Sequence, residues 1–214
     1  MTDTLFSLAD DVRPVVRAGI LWWTGAQVVE RDARLDPLLA AAEAHVRISP
    51  PAESAAVRTM YKRVGIDPTK TRPSNEALLR RVRKGDTLPR INSAVDIVNW
   101  CSLEWQLPYG LYDSSKISGG VTLRLGAAGE SYAGIRKDAV HVGGRITVAD
   151  ALGPFGNPTS DSARTMVTPA TTDLLVVIYA PREIPLPDVE RVTTRTAARL
   201  ADILGGREIG RNIY

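Results

Sequence analysis

Two nearly continuous apolar runs mark the segments that this sequence buries most deeply. Residues 15–23 are apolar except for Arg17, and residues 174–180 are apolar throughout. Short runs of this kind, rich in branched side chains, are typical of strands covered on both faces. We therefore predict an early buried strand at residues 15–23 and a central strand at residues 174–180.

Helical spacing of apolar residues dominates the first half of the chain. Residues 34–47 are predicted to form a helix that Pro50 and Pro51 break, and a second helix covers residues 52–64 and stops at Gly65. The face of the first helix that is expected to pack inward carries Leu35, Leu38, Leu39, Ala42 and Val46.

Two further helices are predicted from their capping residues. Ser74 is the expected N-cap of a helix that ends at Gly85. Ser93, with Asp96 three residues later, resembles a capping box and opens a helix that runs to about Trp105. The inward sides of these helices are expected to carry Leu78, Leu79, Val82, Val95, Val98 and Ser102.

From Gly119 onward the sequence pattern predicts short strands. Strand-like pieces at residues 121–125, 140–142 and 145–148 are separated by glycines and polar turns. A last helix is predicted after Pro187 and Asp188, and its inward residues are Val189, Val192, Leu200, Ile203 and Leu204. Helices thus come mostly first, strands follow and one helix closes the chain, which favours an α+β fold with a mixed sheet core.

Composition narrows the class of protein. The chain has 214 residues, 44% hydrophobic and 24% charged, which is ordinary for a globular domain. The single Cys101 excludes an internal disulfide and fits a reducing compartment. The first residues lack the basic start of a secretory signal, and no apolar run reaches the roughly 20 residues that a membrane span needs. We expect a cytoplasmic protein that does not enter a membrane.

Positive charge is concentrated in one segment. Residues 58–90 hold ten basic residues against three acidic ones, a local net charge of +7 in a chain whose total is +3. A concentrated positive field attracts a polyanion such as a phosphate backbone better than a diffuse one. A solvated helical surface would show the same composition.

Familiar catalytic and cofactor motifs are missing. The sequence has no phosphate-binding loop, no dinucleotide-binding glycine motif and no serine-hydrolase elbow. Two histidines, His45 and His141, and one cysteine leave little for a zinc site. We expect neither a metal nor another cofactor.

Five short motifs occur in a fixed order, and a sixth follows them. The first five are Arg58-x-Met60-Tyr61-Lys62, Gly65-Ile66-Asp67-Pro68-x-Lys70-x-Arg72-Pro73-Ser74-x-Glu76-Ala77-Leu78, Leu88-Pro89-x-Ile91-Asn92, Val95-Asp96-x-x-Asn99 and Leu107-Pro108-x-Gly110-x-Tyr112-Asp113. The sixth is Asp161-Ser162-x-Arg164-Thr165-x-x-Thr168. Over about residues 50–180 the set resembles the freestanding relatives of the B3/B4 module in the beta subunit of phenylalanyl-tRNA synthetase.

The resemblance implies a three-layer α+β domain that contacts tRNA. In the synthetase this module holds the editing pocket, which hydrolyses tyrosine wrongly esterified to the tRNA for phenylalanine. Residues 50–214 are expected to form this domain, with residues 1–49 supplying its N-terminal strand and helix. The resemblance is to the editing module alone and not to a complete synthetase.

Two positions depart from the synthetase pattern. A histidine that helps at the editing site is replaced here by Gly110. A substrate-reading glutamate in a Gly-Gly-Glu stretch is replaced by residues 158–161, with the sequence Pro-Thr-Ser-Asp. Both changes bear on tyrosine specificity, and the first also bears on mechanism.

The residues of the sixth motif could support deacylation. Asp161 could pair with the α-ammonium group of the substrate, while the hydroxyls of Ser162, Thr165 and Thr168 could hold a water or the carbonyl. Further substrate contacts are expected from Asn99, Tyr109, Gly110, Tyr112, Asp113, Gly119 and Gly120. The tRNA-binding residues are expected to be Arg58, Lys62, Lys70, Arg72, Arg80, Arg81, Arg83 and Arg164.

Structural roles compete with each of these assignments. Residues 161–165 could be a capped turn whose arginine is paired locally, and Asn99 and Asp113 could satisfy loop backbone. The two tyrosines could be core residues instead of stacking on a base. Trp100 and Trp105 are predicted to pack, and His141 could be a surface residue or a replacement base.

Three functions remain open from the sequence. The first is a freestanding deacylase for mischarged aminoacyl-tRNA, and the second is a tRNA-binding or RNA-binding module without catalysis. The third is a small-molecule binder that kept an amino-acid pocket and lost its contact with RNA. The sequence identifies neither the amino acid, nor the tRNA, nor the oligomeric state.

Overall fold

The computed structural model describes residues 6–51 and 54–214, and these residues form five α-helices and ten β-strands. The helices are Leu35–Ile48 (α1), Ala55–Arg63 (α2), Ser74–Arg83 (α3), Ser93–Trp105 (α4) and Leu186–Leu204 (α5). The strands are Phe6–Leu8 (β1), Val16–Thr24 (β2), Tyr109–Asp113 (β3), Val121–Leu125 (β4), Ser131–Gly134 (β5), Lys137–His141 (β6), Ile146–Asp150 (β7), Gly153–Gly156 (β8), Leu174–Pro181 (β9) and Arg207–Ile213 (β10). The predicted α+β class is confirmed.

The two apolar runs form neighbouring strands in the middle of the main sheet. This sheet has the order β10-β2-β9-β3 with antiparallel pairing throughout. The register of β2 against β9 runs from Val16 opposite Pro181 to Trp23 opposite Leu174. Every residue of β9 is buried, which confirms the predicted central strand.

The main sheet is covered on both faces, so the fold has three layers. Helix α5 packs on one face, where the Tyr109 hydroxyl lies 3.1 Å from the Thr196 hydroxyl. On the other face, Tyr112 meets the Phe155 ring edge-on at 4.9 Å. Phe155 belongs to a second, mixed sheet of order β1-β4-β7-β8, in which β1 and β4 are parallel.

Both predicted N-caps are wrong by one residue. The N-cap of α3 is Pro73, so Ser74 is already helical and its hydroxyl caps nothing. The N-cap of α4 is Asn92, whose side chain accepts the Val95 amide, while the Ser93 hydroxyl accepts the amide of Val29. Serine and asparagine cap equally well, so composition alone does not choose between neighbouring positions.

Several element boundaries also differ from the prediction. Leu38, expected on the inner face of α1, is 40% exposed, because the buried face of that helix consists of Leu35, Leu39, Glu43 and Val46. Helix α2 begins at Ala55, and residues 52–53 of the predicted helix lie outside the described residues. Helix α5 starts at Leu186 with Pro187 in its first turn, a position that proline tolerates.

Five strands were not predicted, namely β1, β3, β5, β8 and β10. Three of them have four residues or fewer, and β10 alternates between exposed and half-buried positions with charged side chains. Within the described part of the chain, no helix is both long and apolar enough to cross a membrane.

Candidate functional site

A cavity of about 320 Å³ opens between the helical layer and the free edge of β3. Helices α3 and α4 form one wall, β3 forms another, and the β5–β6 hairpin with residues 159–161 and 166–167 completes the lining. The apolar part of the lining comes from Leu78, Ile91, Val95, Val98, Leu111, Ile135, Met166 and Val167. The volume suits a small organic group such as an amino-acid side chain.

Asp161 is the acidic residue of this lining. Its side chain is half-buried, yet its Oδ1 atom is fully buried and has no hydrogen-bond partner among the described residues. Burial raises the pKa of Asp161 from 3.8 to about 7, although the Tyr112 hydroxyl and the Leu111 backbone amide act in the opposite direction. A carboxylate held in this way favours a cationic partner.

Neutral polar groups surround the cavity as well. The Ser74 hydroxyl is buried without a hydrogen-bond partner in the described structure, while the Ser102 hydroxyl donates to the Leu107 carbonyl at 2.7 Å. Asn99 and Thr159 also line the cavity, and the Thr159 hydroxyl lies 2.8 Å from that of Tyr61. Ser74 is therefore a polar group that a ligand could satisfy.

Three of the predicted site residues, two for substrate binding and one for catalysis, meet in this cavity. Asn99, Tyr109 and Asp161 come from α4, β3 and the segment after β8, and all three line it. The inward side predicted for α4 also lines the cavity, through Val98 and Ser102 among others.

The hydroxyls predicted to act beside Asp161 are engaged in local structure. Ser162 and Thr165 are buried and hydrogen-bonded to each other at 2.9 Å, and the Ser162 hydroxyl accepts the Thr165 amide. The Thr168 hydroxyl accepts the amide of Ala170. None of these three lies in the lining of the cavity, so the arrangement matches the capped turn that competed with a catalytic role.

Asp113 closes a turn at the end of β3. Its carboxylate accepts bonds from the amide and hydroxyl of Ser115 and from the hydroxyl of Thr171. Burial alone would raise the pKa of Asp113, but these hydrogen bonds outweigh it and lower the pKa. Gly119, which has a φ of 74°, is exposed ahead of β4 and away from the cavity lining.

Gly110 is buried under an aromatic side chain. A Cβ atom at Gly110, or at Gly156 on the opposite side, would overlap the Tyr112 hydroxyl. That hydroxyl is itself 2.8 Å from the hydroxyl of Tyr179 in the core. Tyr112 is therefore a core residue, and the histidine expected from the resemblance has no space at position 110.

The predicted tRNA-binding residues divide into two groups. Arg58 forms a bidentate ion pair with the buried Glu76, and Arg164 forms one with Asp150, whose side chain is fully buried. Arg81 and Arg83 donate to the backbone carbonyls of Thr87 and Pro51. The remaining members are Lys62, Lys70 and Arg80, which are exposed as Arg81 and Arg83 are, and Arg72, which is half-buried.

The tryptophans predicted to pack do not line this cavity. Trp100 and Trp105 enclose the Arg199 guanidinium, at 3.5 and 4.7 Å from their ring centres, and Arg199 also pairs with Glu104. His141 is exposed on β6 and does not line the cavity. Among the described residues, no group of three or more His, Cys, Asp or Glu side chains could hold a metal ion.

Sequence reasoning missed several residues of the lining as functional candidates. The sequence predicts Ser74 as a helix cap and Leu78 as a core residue, while Arg136 and Met166 carry no recognised signal. The hairpin between β5 and β6, which places Arg136, could have been found from the glycines on either side of residues 130–142.

This combination of fold and cavity defines the class of protein. Residues 56–191 match the model of the B3/4 domain, and the chain belongs to that family. The resemblance inferred from the ordered motifs is thereby confirmed.

Particular relatives can then be named. Over 166 residues the chain is 29% identical to the phenylalanine–tRNA ligase beta subunit of Thiobacillus denitrificans, covering 75% of this chain and 21% of that protein. A solved N-terminal fragment of the phenylalanyl-tRNA synthetase beta subunit from Pyrococcus horikoshii aligns with the whole chain and 51% of the fragment, at 12% identity and a TM-score of 0.47. The chain thus spans about a fifth of the curated relative and about half of the fragment.

Proposed function

We propose that this chain is an aminoacyl-tRNA deacylase, which hydrolyses the ester of an amino acid wrongly attached to a tRNA. The observation that carries the proposal is the buried, unpartnered Oδ1 atom of Asp161 in the wall of an apolar cavity. An α-ammonium group next to an uncharged side chain is the ligand that such a site complements. The relatives belong to an aminoacyl-tRNA synthetase, which points to the esterified form of the amino acid.

The cavity would hold both parts of the amino acid. The ammonium group pairs with Asp161, and the side chain enters the apolar lining between α4 and Val167. The Ser74 hydroxyl, buried without a partner in the described structure, is available to the ester carbonyl or to a water molecule. Because an aminoacyl ester is already activated, correct placement of the ester and a water supplies much of the required acceleration.

The nucleophile in this proposal is water. The residues that line the cavity include neither histidine nor cysteine within the described part of the chain, and the Ser162 and Thr165 hydroxyls are bonded to each other. A carboxyl group with a pKa of about 7 titrates near neutral pH, where a general base is most effective. Asp161 can therefore bind the ammonium group or accept a proton from water, according to how the ester sits.

The tRNA would approach over α3. That helix carries Ser74 and Leu78 on the cavity and Arg80 on its exposed side. Lys62 and Lys70 add exposed positive charge on the neighbouring segments. Contacts from such residues to phosphates position an RNA without reading its sequence.

Incubation with a panel of charged tRNAs tests the proposal. The tRNA for phenylalanine, charged with tyrosine, meta-tyrosine or other amino acids, should release at least one of them faster than buffer does. Asp161→Asn should lower that rate by roughly a hundredfold or more, because the amide cannot balance the ammonium charge. Asp138→Asn, at an exposed carboxylate on β6, is the matched control and should leave the rate unchanged. Release at the buffer rate across the whole panel would refute the proposal.

A tRNA-binding module without catalysis is the second candidate. It is favoured by the overlap between Tyr112 and any side chain at position 110, where the resemblance places a catalytic histidine. This candidate predicts salt-dependent tRNA binding with no turnover. Reversal of charge at Arg80 to glutamate should weaken the binding severalfold and reduce its salt dependence, while Arg182→Glu serves as a control at an exposed arginine outside the basic segment 58–90.

A further inference from the structure

Arg136 occupies an unusual place at the edge of the cavity. It is the second residue of the two-residue loop that joins β5 to β6, since Gly134 pairs with Lys137. Within residues 6–51 and 54–214, it is the only cation in the lining of the cavity. Its side chain is exposed, and the described residues supply no ion pair or side-chain hydrogen bond to its guanidinium.

The backbone of Arg136 has a conformation that suits another residue better. Its φ is 55°, in the left-handed region that glycine and asparagine adopt most readily. An arginine gains nothing locally from this position, because its side chain is free. A charged residue in a strained backbone conformation at a hairpin tip is typical of a site where the side chain contacts a ligand.

The β5–β6 hairpin is hydrogen-bonded to the segment that carries Asp161. The Ile135 amide donates to the Asp161 carbonyl at 3.2 Å, and the Ala163 amide donates to the Ala133 carbonyl at 2.9 Å. The Tyr132 hydroxyl adds a bond to the Ser160 carbonyl at 2.5 Å. The position of the Arg136 backbone relative to the Asp161 carboxylate is therefore fixed by the fold.

We infer that Arg136 binds the phosphate that joins the last nucleotide of a tRNA to the rest of the chain, an inference that rests on the proposed function. An aminoacylated 3′ end carries an ammonium group at one end and this phosphate at the other, separated by one ribose. The cavity offers the complementary pair, with Asp161 in its wall and Arg136 at its edge. Arg164, predicted from the sequence to bind tRNA, is instead held by Asp150.

The test is a double-mutant cycle of binding affinities, in which one residue and one phosphate are changed singly and together. The RNA is uncharged tRNA, so the measurement does not require hydrolysis. The two RNAs are intact tRNA and the same tRNA with a neutral methylphosphonate at the last linkage. Wild-type protein should bind the modified RNA about tenfold more weakly, the size expected for loss of one hydrogen bond to a charged group. Arg136→Gly should bind both RNAs equally and as weakly as the wild type binds the modified one. Arg136→Lys should restore part of the difference.

Glycine is the chosen replacement because it accepts the left-handed backbone, so the variant should fold at least as stably as the wild type. Arg182→Ala, at another exposed arginine, should keep the full tenfold difference. The inference is overturned if Arg136→Gly retains wild-type affinity for intact tRNA, or if its affinities for the two RNAs still differ tenfold. If the protein deacylates a charged tRNA while the Arg136→Gly substitution leaves the difference between the two RNAs unchanged, the proposed function stands without this inference. If no tRNA binds, both fail.

Discussion

Replacement of Asp161 by asparagine should stabilise the folded protein while lowering its deacylation rate. Asparagine keeps the shape of the side chain and removes the charge that the fold leaves without a partner at Oδ1. An uncompensated buried charge lowers the free energy of unfolding. The effect should therefore be present only where the wild-type carboxyl group is ionised.

The expected size follows from the pKa of Asp161, which burial raises from 3.8 to about 7. Well below pH 3.8 the carboxyl group is neutral in both states, and it contributes no difference. Between about pH 4 and pH 7 the unfolded chain ionises first, so the wild type loses stability as the pH rises. Each pKa unit is worth about 1.4 kcal/mol, so the full loss is roughly 4 kcal/mol and is complete above about pH 7.

Urea unfolding of both proteins at about pH 3 and about pH 8 measures this effect. The asparagine variant should be more stable by about 2 to 4 kcal/mol at the higher pH, and the two should converge at the lower pH. In a chain of this length, each kcal/mol moves the Tm by about 2–4 °C. A variant that is less stable than the wild type at about pH 8 would show that Asp161 is satisfied within the fold, and the assignment of the cavity would fall with it. Asp138→Asn should change neither curve.

Two other substitutions test the surroundings of the site by their effect on urea unfolding. Gly110→Ala should cost about 3 kcal/mol or more because its Cβ overlaps the Tyr112 hydroxyl, whereas Gly129→Ala, with open space around it, should cost about 1 kcal/mol for its φ of 81° alone. Gly110→Ala at or below the cost of the control would contradict the packing. Burial would raise the pKa of Asp150, but bonds from Arg164 and two backbone amides outweigh it and lower the pKa, so Asp150→Asn should cost about 2–4 kcal/mol near neutral pH, and less in acid. An equal cost at about pH 3 and pH 7 would count against that ion pair.

The sequence was a good guide wherever burial alone decided the structure. Strands β2 and β9 are covered on both faces, so their apolar runs predicted both where they lie in the chain and that they are buried. Helix α5 repeats apolar residues with helical spacing for its whole length, and Val189, Val192, Leu200 and Leu204 are buried as expected. The ordered motifs added the family, because the whole set in its order is specific although no single motif is.

The sequence was a poor guide wherever a polar side chain could serve several partners. Ser93 and Asn92 are equally good caps, and tertiary contact with Val29 decided between them. Arg164 looked available for a phosphate because its partner, Asp150, lies on a strand whose pairing the local sequence does not specify. Arg136 could not be identified from the sequence for a similar reason, since its proposed contact depends on the position of the β5–β6 loop at the edge of the cavity.

The wedge formed by the Tyr112 phenol has an evolutionary consequence. Its oxygen fills the space above two glycines, Gly110 and Gly156, which belong to different sheets. A larger residue at either glycine requires a smaller one at position 112, so mutation cannot change the three independently. A lineage that acquires this tyrosine has closed the single-step route back to an imidazole at position 110.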